Sequence, residues 1–517
     1  MRDDEPRSDR GLLSAAAAGI VAAGLTLAVA EVLAAVLVRT GRAGGTPSPV
    51  VAVGGAFVDR TPPWLKDWAV AAFGTHDKTA LLVGIAVVML LASAVAGLLG
   101  ALRRPVGLGV VVLLAVLAGG AVLSRPHATA ADVLPLLVGA VVGLASLRTL
   151  LDRRTQARST GHAVDRRSFL RLAGGTAVVA VLGAGFSRVL ESSSRAVAAS
   201  RALVRLPMAK TASTVSTASL DVPGITPFLT EPDAFYRIDT ALVVPQVSTS
   251  DWRLRVHGQV EHPFEITFDE LLRLPMIEAL VTLTCVSNEV GGDLIGNQKW
   301  LGHPLRDLLA RAVPRPDADM VLSTSADGWT AGTPLDVLTD QSRNALLAVG
   351  MGGAPLPVEH GFPVRMVVPG LYGYVSATKW VVDLEVTRFD AAEGYWTPRG
   401  WSARGPIKTG TRIDVPRPGD PVHAGTVAVA GVAWAQHRGI RAVQVRVDDG
   451  PWQVATLGEG GNADTWRQWV WQWPASKGEH TLQARSIDGT GEIQTPVQAP
   501  PAPDGASGWH TRYLTVQ

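Results

Sequence analysis

The segment Glu278–Asn288, which reads EALVTLTCVSN, decides how most of this chain is interpreted. Its apolar run predicts a buried strand that ends at Cys285, the only cysteine among 517 residues. A lone cysteine is most often a small buried apolar residue. Cys285, however, opens the polar, glycine-containing loop Val286–Asn297, and loops carry chemistry more often than strand interiors do. Cys285 is therefore a candidate functional residue.

Metal binding is the first chemistry to consider for this cysteine. A thiolate is a strong ligand for soft metals. No cysteine or histidine lies close to Cys285 in the sequence to complete a zinc site, so the metal would have to bring most of its own ligands. A single cysteine also excludes an intrachain disulfide. The formal net charge of +2 gives no reason to expect nucleic acid as a partner.

Strand and helix patterns around this segment predict an α+β domain over residues 222–400. Thr267 and Glu270 form a capping box in front of a short helix. The predicted strands are Asp251–Val260, Glu278–Thr284, Met320–Ser325, Phe362–Val368 and Lys379–Val386, and the predicted helices are Phe268–Leu274 and Pro304–Ala312.

Residues 401–517 change character and predict an immunoglobulin-like β-sandwich. Valines and tryptophans alternate with other residues in Val443–Val447 and Trp469–Trp473. Asp449-Gly450 is a hairpin-turn signal. The predicted strands are Val422–Ala435, Gly439–Val447, Trp466–Trp473 and Glu479–Ile487.

The first third of the chain is apolar and predicts a multi-pass membrane anchor over residues 1–190, in contact with lipid. A span needs about 20 apolar residues, and small residues recur in all the candidates, as suits close helix packing. Glu31 is the one acid inside a predicted span; its place near the helix end favours an interfacial position. A linker rich in Ser, Ala and Thr follows over residues 191–221. The five predicted spans are Leu12–Val38, Thr79–Ala101, Val106–Leu123, Val133–Leu151 and Leu172–Leu190.

The basic residues predict the orientation. Placing the N-terminus in the cytoplasm puts about twice as many arginines and lysines inside as outside. With five spans, everything after Leu190 then lies on the outer side of the cytoplasmic (inner) membrane. Asp165–Gly174 reads DRRSFLRLAG and resembles a twin-arginine export signal; an ordinary basic flank of a membrane helix is the alternative.

Four motifs carry a resemblance to a known family. Thr284–Asn288 with Trp300–Leu309 contains Cys-x-x-Asn and Trp-x-Gly-x-Pro-Leu-x-Asp-Leu-Leu, and His360–Gly370, Ser376–Trp380 and Phe235–Thr240 add three further matches. Residues 222–517 resemble the sulfite-oxidase family of molybdenum–pterin enzymes.

The resemblance implies a molybdenum–molybdopterin cofactor, with Cys285 as metal ligand and catalytic residue. Arg365 and Lys379 can supply the fixed cations that a pterin phosphate needs, and His360 can hydrogen-bond the edge of a pterin ring. The residues that the resemblance assigns to cofactor binding are Tyr236, Arg237, Asp239, Asn288, His360, Arg365, Ser376, Thr378 and Lys379.

Two departures from the family argue against sulfite as the substrate. Sulfite oxidases place arginines after Cys-x-x-Asn, whereas this chain has Glu289 and Val290, and a carboxylate would repel sulfite. The tyrosine that the family keeps ahead of a Gly-aromatic-Ser segment is missing before Gly400-Trp401-Ser402. Solvated surface is the role expected of the basic residues nearby, Arg399, Arg404 and Lys408.

The predicted reaction is therefore two-electron oxygen-atom transfer on a small substrate, in either direction, with sulfoxide or N-oxide reduction as well supported as oxidation of an oxyanion. The predicted spans contain no histidine, so a separate cytochrome or quinone-linked protein is expected to carry the electrons. The C-terminal sandwich corresponds to the family's dimerisation domain and implies a homodimer. The alternative is a non-catalytic cell-envelope scaffold or binding protein that keeps a degenerate sulfite-oxidase fold.

Overall fold

The structure is a computed structural model that describes residues 7–40, 42–62, 65, 72–73, 77–125, 128–159, 194–213 and 220–517. The chain forms two compact units. The first comprises Met1–Arg195 with Ala241–Val244, and the second comprises Ala196–Thr240 with Pro245–Gln517. The predicted fifth span and the twin-arginine-like segment lie outside the described residues.

The described part of the first unit is helical. Four of its helices contain stretches long and apolar enough to cross a membrane, Leu12–Val38, Ala80–Leu102, Arg104–Leu123 and Ala130–Asp152. These stretches agree with the first four predicted spans to within a few residues. The helices are α1 (Arg7–Arg39), α2 (Pro49–Arg60), α3 (Asp77–Leu102), α4 (Arg104–Leu123) and α5 (Leu134–Ser159).

Glycines let these helices approach closely. A Cβ at Gly19 of α1 would collide with the carbonyl oxygen of Ser93 in α3, and a Cβ at Gly97 would collide with that of Ala15. Close backbone packing through small residues is typical of helices that associate in lipid.

Glu31 holds the start of α2. Its Oε1 accepts hydrogen bonds from Ser48 Oγ at 2.9 Å and from the amide of Val50 at 3.1 Å. Ser48 also caps the helix by accepting from the amide of Val51. The Glu31 side chain is buried, and it satisfies amides that an uncapped helix end would leave open.

The second unit contains, after its first helical residues, a mixed sheet, an antiparallel sheet and the short helices between their strands. The first sheet has the order β2-β1-β10-β5-β6, in which β1 and β10 are parallel, and the second has the order β3-β4-β7-β8 with β9 beside β7. The strands are β1 (Arg253–Gly258), β2 (Phe264–Thr267), β3 (Ile277–Thr284), β4 (Ile295–Pro304), β5 (Met320–Ser325), β6 (Thr330–Pro334), β7 (Leu346–Met351), β8 (Ala354–Pro355), β9 (Arg365–Val367) and β10 (Val381–Thr387), and the helices are α6 (Phe268–Arg273), α7 (Leu305–Ala312) and α8 (Leu335–Thr339).

The predicted α+β pattern is confirmed with small shifts. The capping box is present, since Glu270 N donates to Thr267 Oγ1 at 3.2 Å and Thr267 N donates to Glu270 Oε2 at 2.8 Å. The predicted strand Phe362–Val368 is shorter, because pairing with β7 is confined to β9. Pro363 has no amide hydrogen to donate to a ladder.

Both faces of β3 are covered, which explains its continuous apolar run. Val281 and Leu283 enter a core cluster. On the other face, Thr282 Oγ1 bonds Asn297 Oδ1 at 3.0 Å, and Gln436 Nε2 donates to Thr284 Oγ1 at 2.9 Å. The strand that delivers Cys285 is therefore fixed from two sides.

Two antiparallel four-stranded sheets complete the second unit, with orders β11-β12-β16-β15 and β14-β13-β17-β18. Trp469 from the first sheet and Val443 and Leu482 from the second share one core cluster. The predicted hairpin turn at Asp449 is confirmed by the pairing of β13 with β14. The strands are β11 (Gly410–Val415), β12 (Gly425–Trp434), β13 (Ile440–Val447), β14 (Gln453–Val454), β15 (Thr456–Leu457), β16 (Arg467–Ala475), β17 (Gly478–Asp488) and β18 (His510–Val516).

Part of the predicted linker is ordered. Residues 194–203 are helical. Val197 is buried in the cluster that holds β3. Arg201 donates from Nε to the carbonyl of Leu356 and from Nη2 to that of Pro355, both at 2.7 Å. The start of the second unit is therefore attached to its core.

Candidate cofactor site

A cavity of about 150 Å³ opens beside Cys285. Its walls come from segments far apart in sequence: residues 235–240, the turn after β3, the loop between β5 and β6, residues 365–380, and residues 396–401. The ends of both sheets of the α+β part thus meet around the cysteine that the sequence singled out.

The turn after β3 is locked by hydrogen bonds. Cys285 N donates to Leu294 O at 2.9 Å, and Leu294 N donates to Asn288 Oδ1 at 2.8 Å. Asn288 is buried but does not line the cavity. The structure therefore does not bring the Asn288 side chain to the predicted cofactor position; Asn288 shapes the loop that presents Cys285.

The Cys285 thiol is buried, and burial raises its pKa, while hydrogen bonds from Ser287 and the charge of Lys379 act in the opposite direction. A metal ion would stabilise the thiolate against this burial. Among the residues that the structure describes, no group of three His, Cys, Asp or Glu side chains is arranged to hold a metal. A metal here would need ligands from outside the protein.

Arg365 is a buried cation without a carboxylate partner in the described part of the chain. Its side chain donates only to backbone carbonyls, those of Met366, His360 and Ala377, at 3.2–3.4 Å. Burial lowers its pKa to about 10. An uncompensated buried charge is costly, and a bound anion would compensate it.

Lys379 lies in the same cavity wall. Its Nζ donates to Asp239 Oδ2 and to the carbonyl of Glu359, both at 3.1 Å. Arg237 Nε also donates to Asp239 Oδ2, at 3.1 Å. Burial lowers the pKa of Lys379 to about 8, against the attraction of Asp239. Arg365, Lys379 and Arg237 are three cations near a single carboxylate, Asp239, which pairs with Lys379 and Arg237 but not with Arg365. The cluster therefore keeps about two positive charges, which match a phosphate group of charge about −1.5 to −2.

His360 offers an open hydrogen-bond acceptor next to these cations. Its Nε2 lies 3.2 Å from the carbonyl of Pro232, which assigns the proton to Nε2. Nδ1 is then a buried acceptor, and no described residue donates a hydrogen bond to it. Burial, followed by Arg365 and Lys379, lowers the pKa of His360 to about 3, so the ring is neutral. The ring packs edge-to-face on Phe235, which lines the cavity, at 5.7 Å, while His360 itself does not line it.

Tyr236 lines the cavity as predicted and stacks on Phe235 with ring centroids 5.1 Å apart. Burial raises the pKa of its phenol, and the negative charge of Cys285 raises it further. Tyr236 is therefore a neutral hydrogen-bonding group in the wall.

Two of the predicted cofactor-binding hydroxyls face the protein instead. Ser376 Oγ donates to the carbonyl of Tyr372 at 2.9 Å, and Thr378 Oγ1 bonds Ser323 Oγ at 2.7 Å. Both residues are fully buried and neither lines the cavity. Their hydroxyls satisfy the backbone around the Ser376–Trp380 segment and position Lys379.

The sequence interpretation missed an aromatic wall made of Trp329, Tyr374, Trp396 and Trp401. Tyr374 Oη donates to the carbonyl of Ser402 at 2.7 Å, so a phenol faces the cavity although the family's tyrosine is missing near Gly400. The aromatic density of residues 395–401, YWTPRGW, was a sequence signal for this wall.

The charged residues discussed as substrate contacts lie elsewhere. Glu289 is exposed and does not line the cavity of Cys285, so the predicted repulsion of sulfite by its carboxylate has no structural basis. Arg399 stacks on Tyr395, Arg404 stacks on Phe389, and Lys408 pairs with Asp504 at 2.8 Å. None of the three lines the cavity.

These residues fit a cofactor that carries both a phosphate and a ring with N–H donors. Arg365 and Lys379 lack sufficient counter-charge, and Nδ1 of His360 lacks a donor. Cys285 can supply one sulfur ligand to a metal that arrives with its own ligands. The fold and the site together define a metallocofactor-binding oxidoreductase domain.

Comparison with known proteins identifies the family. The model of the family described as "Oxidoreductase molybdopterin binding domain" matches residues 241–396. The uncharacterized oxidoreductase YuiH of Bacillus subtilis (strain 168) is 34% identical over 154 residues, which cover 30% of this chain and 74% of that protein. Mitochondrial sulfite oxidase of Homo sapiens is 28% identical over 318 residues, which cover 52% of this chain and 58% of that protein.

A solved structure, the sulfane dehydrogenase SoxCD from Paracoccus pantotrophus, matches 58% of this chain and 87% of that chain with 23% identity and a TM-score of 0.49. The chain belongs to the sulfite-oxidase family of molybdopterin oxidoreductases, and its cofactor is molybdenum–molybdopterin. It spans 58% of the length of human sulfite oxidase.

Proposed function

We propose that the chain is a membrane-anchored enzyme that transfers an oxygen atom to or from a small substrate in a two-electron reaction. The observation that supports this most is the buried, carboxylate-free Arg365, in the same cavity wall as Lys379 and Cys285. A degenerate scaffold has no reason to keep an uncompensated charge in its core.

Each residue of the site would have a separate role. Cys285 would ligate molybdenum, Arg365 and Lys379 would bind the cofactor phosphate, and Nδ1 of His360 would accept a hydrogen bond from a pterin N–H. Arg237 and Asp239 would hold Lys379 in place. The bound group supplies the two-electron redox change and the oxygen-atom transfer. The protein holds it rigidly and keeps water from one side.

The cavity favours a substrate other than a small oxyanion. Arg365 and Lys379 are the only cationic side chains among its described lining residues, and both are committed to the cofactor phosphate. Sulfite would then meet no free positive charge in the wall. A sulfoxide or an N-oxide, which carries no net charge, suits the aromatic lining better.

The first unit supports a membrane anchor through its four long apolar helices. The bias of arginine and lysine supports an outer location for the catalytic unit, in the cytoplasmic membrane. The two C-terminal sheets would form an immunoglobulin-like dimerisation domain, and a separate cytochrome or quinone-linked protein would exchange electrons. A reporter fused after Leu190 tests the orientation: it should be active only on the outer side, and activity in the cytoplasm would contradict the proposal.

Metal analysis of the purified full-length protein tests the site. We expect about one molybdenum per chain and an electron paramagnetic resonance signal on partial reduction. Cys285→Ser should lower metal retention about 100-fold or more. Thr284→Ser is the matched control, because it keeps the hydroxyl that Gln436 binds at 2.9 Å. Folded wild-type protein without molybdenum, or a Cys285→Ser variant that retains it, would refute the proposal.

A further inference from the structure

Three residues of the aromatic wall are in ring contact with one another. The ring centroids of Tyr374 and Trp401 are 5.8 Å apart, and those of Trp401 and Trp396 are 6.2 Å apart. Tyr395 N donates to Thr330 O at 3.0 Å, which ties the loop that carries Trp329 to the Trp396 segment. Trp329, Trp396 and Trp401 are partly exposed and Tyr374 is buried, and all four residues line the cavity.

A carboxylate stands in the same loop as Trp329. Asp327 lines the cavity, and its Oδ1 accepts from the amide of Trp329 at 3.2 Å. No cation pairs with Asp327 among the residues that the structure describes. The other acid of the lining, Asp239, is held by Lys379 and Arg237. Asp327 is therefore the acid in the described lining whose charge is left for a ligand.

We propose that Asp327 and the aromatic wall of Trp329, Tyr374, Trp396 and Trp401 recognise a methylated ammonium group on the substrate. This inference rests on the proposed function, since it names the class of substrate for that site. Aromatic faces attract cations through their quadrupoles, and quaternary ammonium groups are bound in such surroundings. A carboxylate adds a charge that a neutral group of the same shape cannot use.

Choline and 3,3-dimethylbutan-1-ol are suitable probes, because they differ only in a quaternary nitrogen against a quaternary carbon. Titration calorimetry of the full-length, molybdenum-loaded protein in a detergent without choline headgroups measures both. We expect choline to bind about tenfold more tightly than the neutral alcohol. Asp327→Asn should remove most of that difference and leave the alcohol unchanged, whereas Trp401→Leu should weaken both.

Two control variants make the same kinds of substitution at positions outside the cavity. Trp452→Leu removes a partly buried tryptophan, and Asp449→Asn removes a surface carboxylate, both at the β13–β14 turn. Neither should alter choline binding. Equal binding of the two probes, or choline binding that survives both Asp327→Asn and Trp401→Leu, would overturn the inference.

Metal content separates this inference from the proposed function. Loaded protein without a preference for choline refutes the ammonium site alone. Protein that folds without molybdenum but prefers choline, in a manner dependent on Asp327, refutes the oxidoreductase proposal and supports the ammonium site.

Discussion

Arg365 and Arg412 are both buried in the second unit, and their surroundings differ. Arg412, in β11 of a C-terminal sheet, pairs with Asp414 at 2.7 Å and donates to Gly292 O and Thr226 Oγ1, both at 2.8 Å. Arg365, in the cavity wall, meets three carbonyls at 3.2–3.4 Å. The first arginine is satisfied by the fold and stabilises it; the second is left for a ligand. Hydrogen-bond and ion-pair partners therefore distinguish a structural charge from a ligand-binding charge better than burial does.

Replacing Arg412 should have the largest effect on stability. Arg412→Met leaves Asp414 buried without its partner, so we expect the free energy of unfolding to fall by about 3–5 kcal/mol. Thermal and denaturant unfolding of the full-length protein in detergent, followed by tryptophan fluorescence, measures this loss.

The matched change, Arg365→Met, should behave in the opposite way. It removes an uncompensated charge, so the cofactor-free protein should be equally stable or more stable, while cofactor retention falls about 100-fold. If Arg365→Met destabilises the cofactor-free protein as much as Arg412→Met does, the contrast between the two arginines is wrong.

Two histidines extend the comparison. The pKa values of His360 and His510 are both lowered to about 3, chiefly by burial. Nδ1 of His510 accepts from the amide of Ile413 at 2.9 Å, whereas Nδ1 of His360 has no partner. His510→Leu should therefore cost about 1–3 kcal/mol of stability, because it strands a buried amide. His360→Leu should cost little stability but lower cofactor retention about tenfold.

Molybdenum content and unfolding free energy, measured on both histidine variants, distinguish the two roles. A His360→Leu variant that keeps its cofactor but unfolds readily would assign this histidine to the core.

The lowered pKa of Lys379 predicts that the stability of the cofactor-free protein depends on pH, and bound cofactor should suppress this dependence. Its pKa is lowered from 10.5 to about 8 in the cofactor-free fold. Between these values the unfolded chain binds more protons than the folded one, so stability should rise as pH increases through this window. A bound phosphate should raise the pKa of Lys379, and the increase in stability with pH should then be smaller.

Unfolding at pH 7.5 and 9.5, with and without cofactor, measures the effect of Lys379; these two values simply bracket the lowered pKa of about 8. Lys379→Met is the control and should lack the rise. An equal rise in the loaded protein would show that no anion sits beside Lys379.

Sequence reasoning predicted what local pattern encodes. The apolar run of β3 with Cys285 at its end follows from residue types and spacing, and the strand occurs as predicted. Arg365 and Lys379 were assigned through the family resemblance, and both line the cavity beside Cys285. Side-chain direction does not follow from spacing. Asn288 and Ser376 belong to the expected motifs, yet their side chains bond the backbone.

The aromatic wall escaped the sequence interpretation for a related reason. Trp329 and Trp396 are far apart in the chain, and only the tertiary pairing of Tyr395 with Thr330 brings their segments together. The chemical type of each residue does not reveal a surface that is formed by several loops distant in sequence. The four apolar helices were easier to predict from the sequence, because length and hydropathy are local properties.

Replacing Glu289 should have the smallest effect, which is measured on sulfite binding. Its exposed carboxylate lies outside the lining of the Cys285 cavity, and water and salt screen charges at that distance. Glu289→Gln should therefore change the KM for sulfite, or its inhibition constant, by less than about twofold. Asp327→Asn removes the same charge from inside the cavity and should strengthen oxyanion binding more. If Glu289→Gln has the larger effect, the carboxylate after Asn288 does govern the substrate, as the sequence first indicated, and the cavity wall does not.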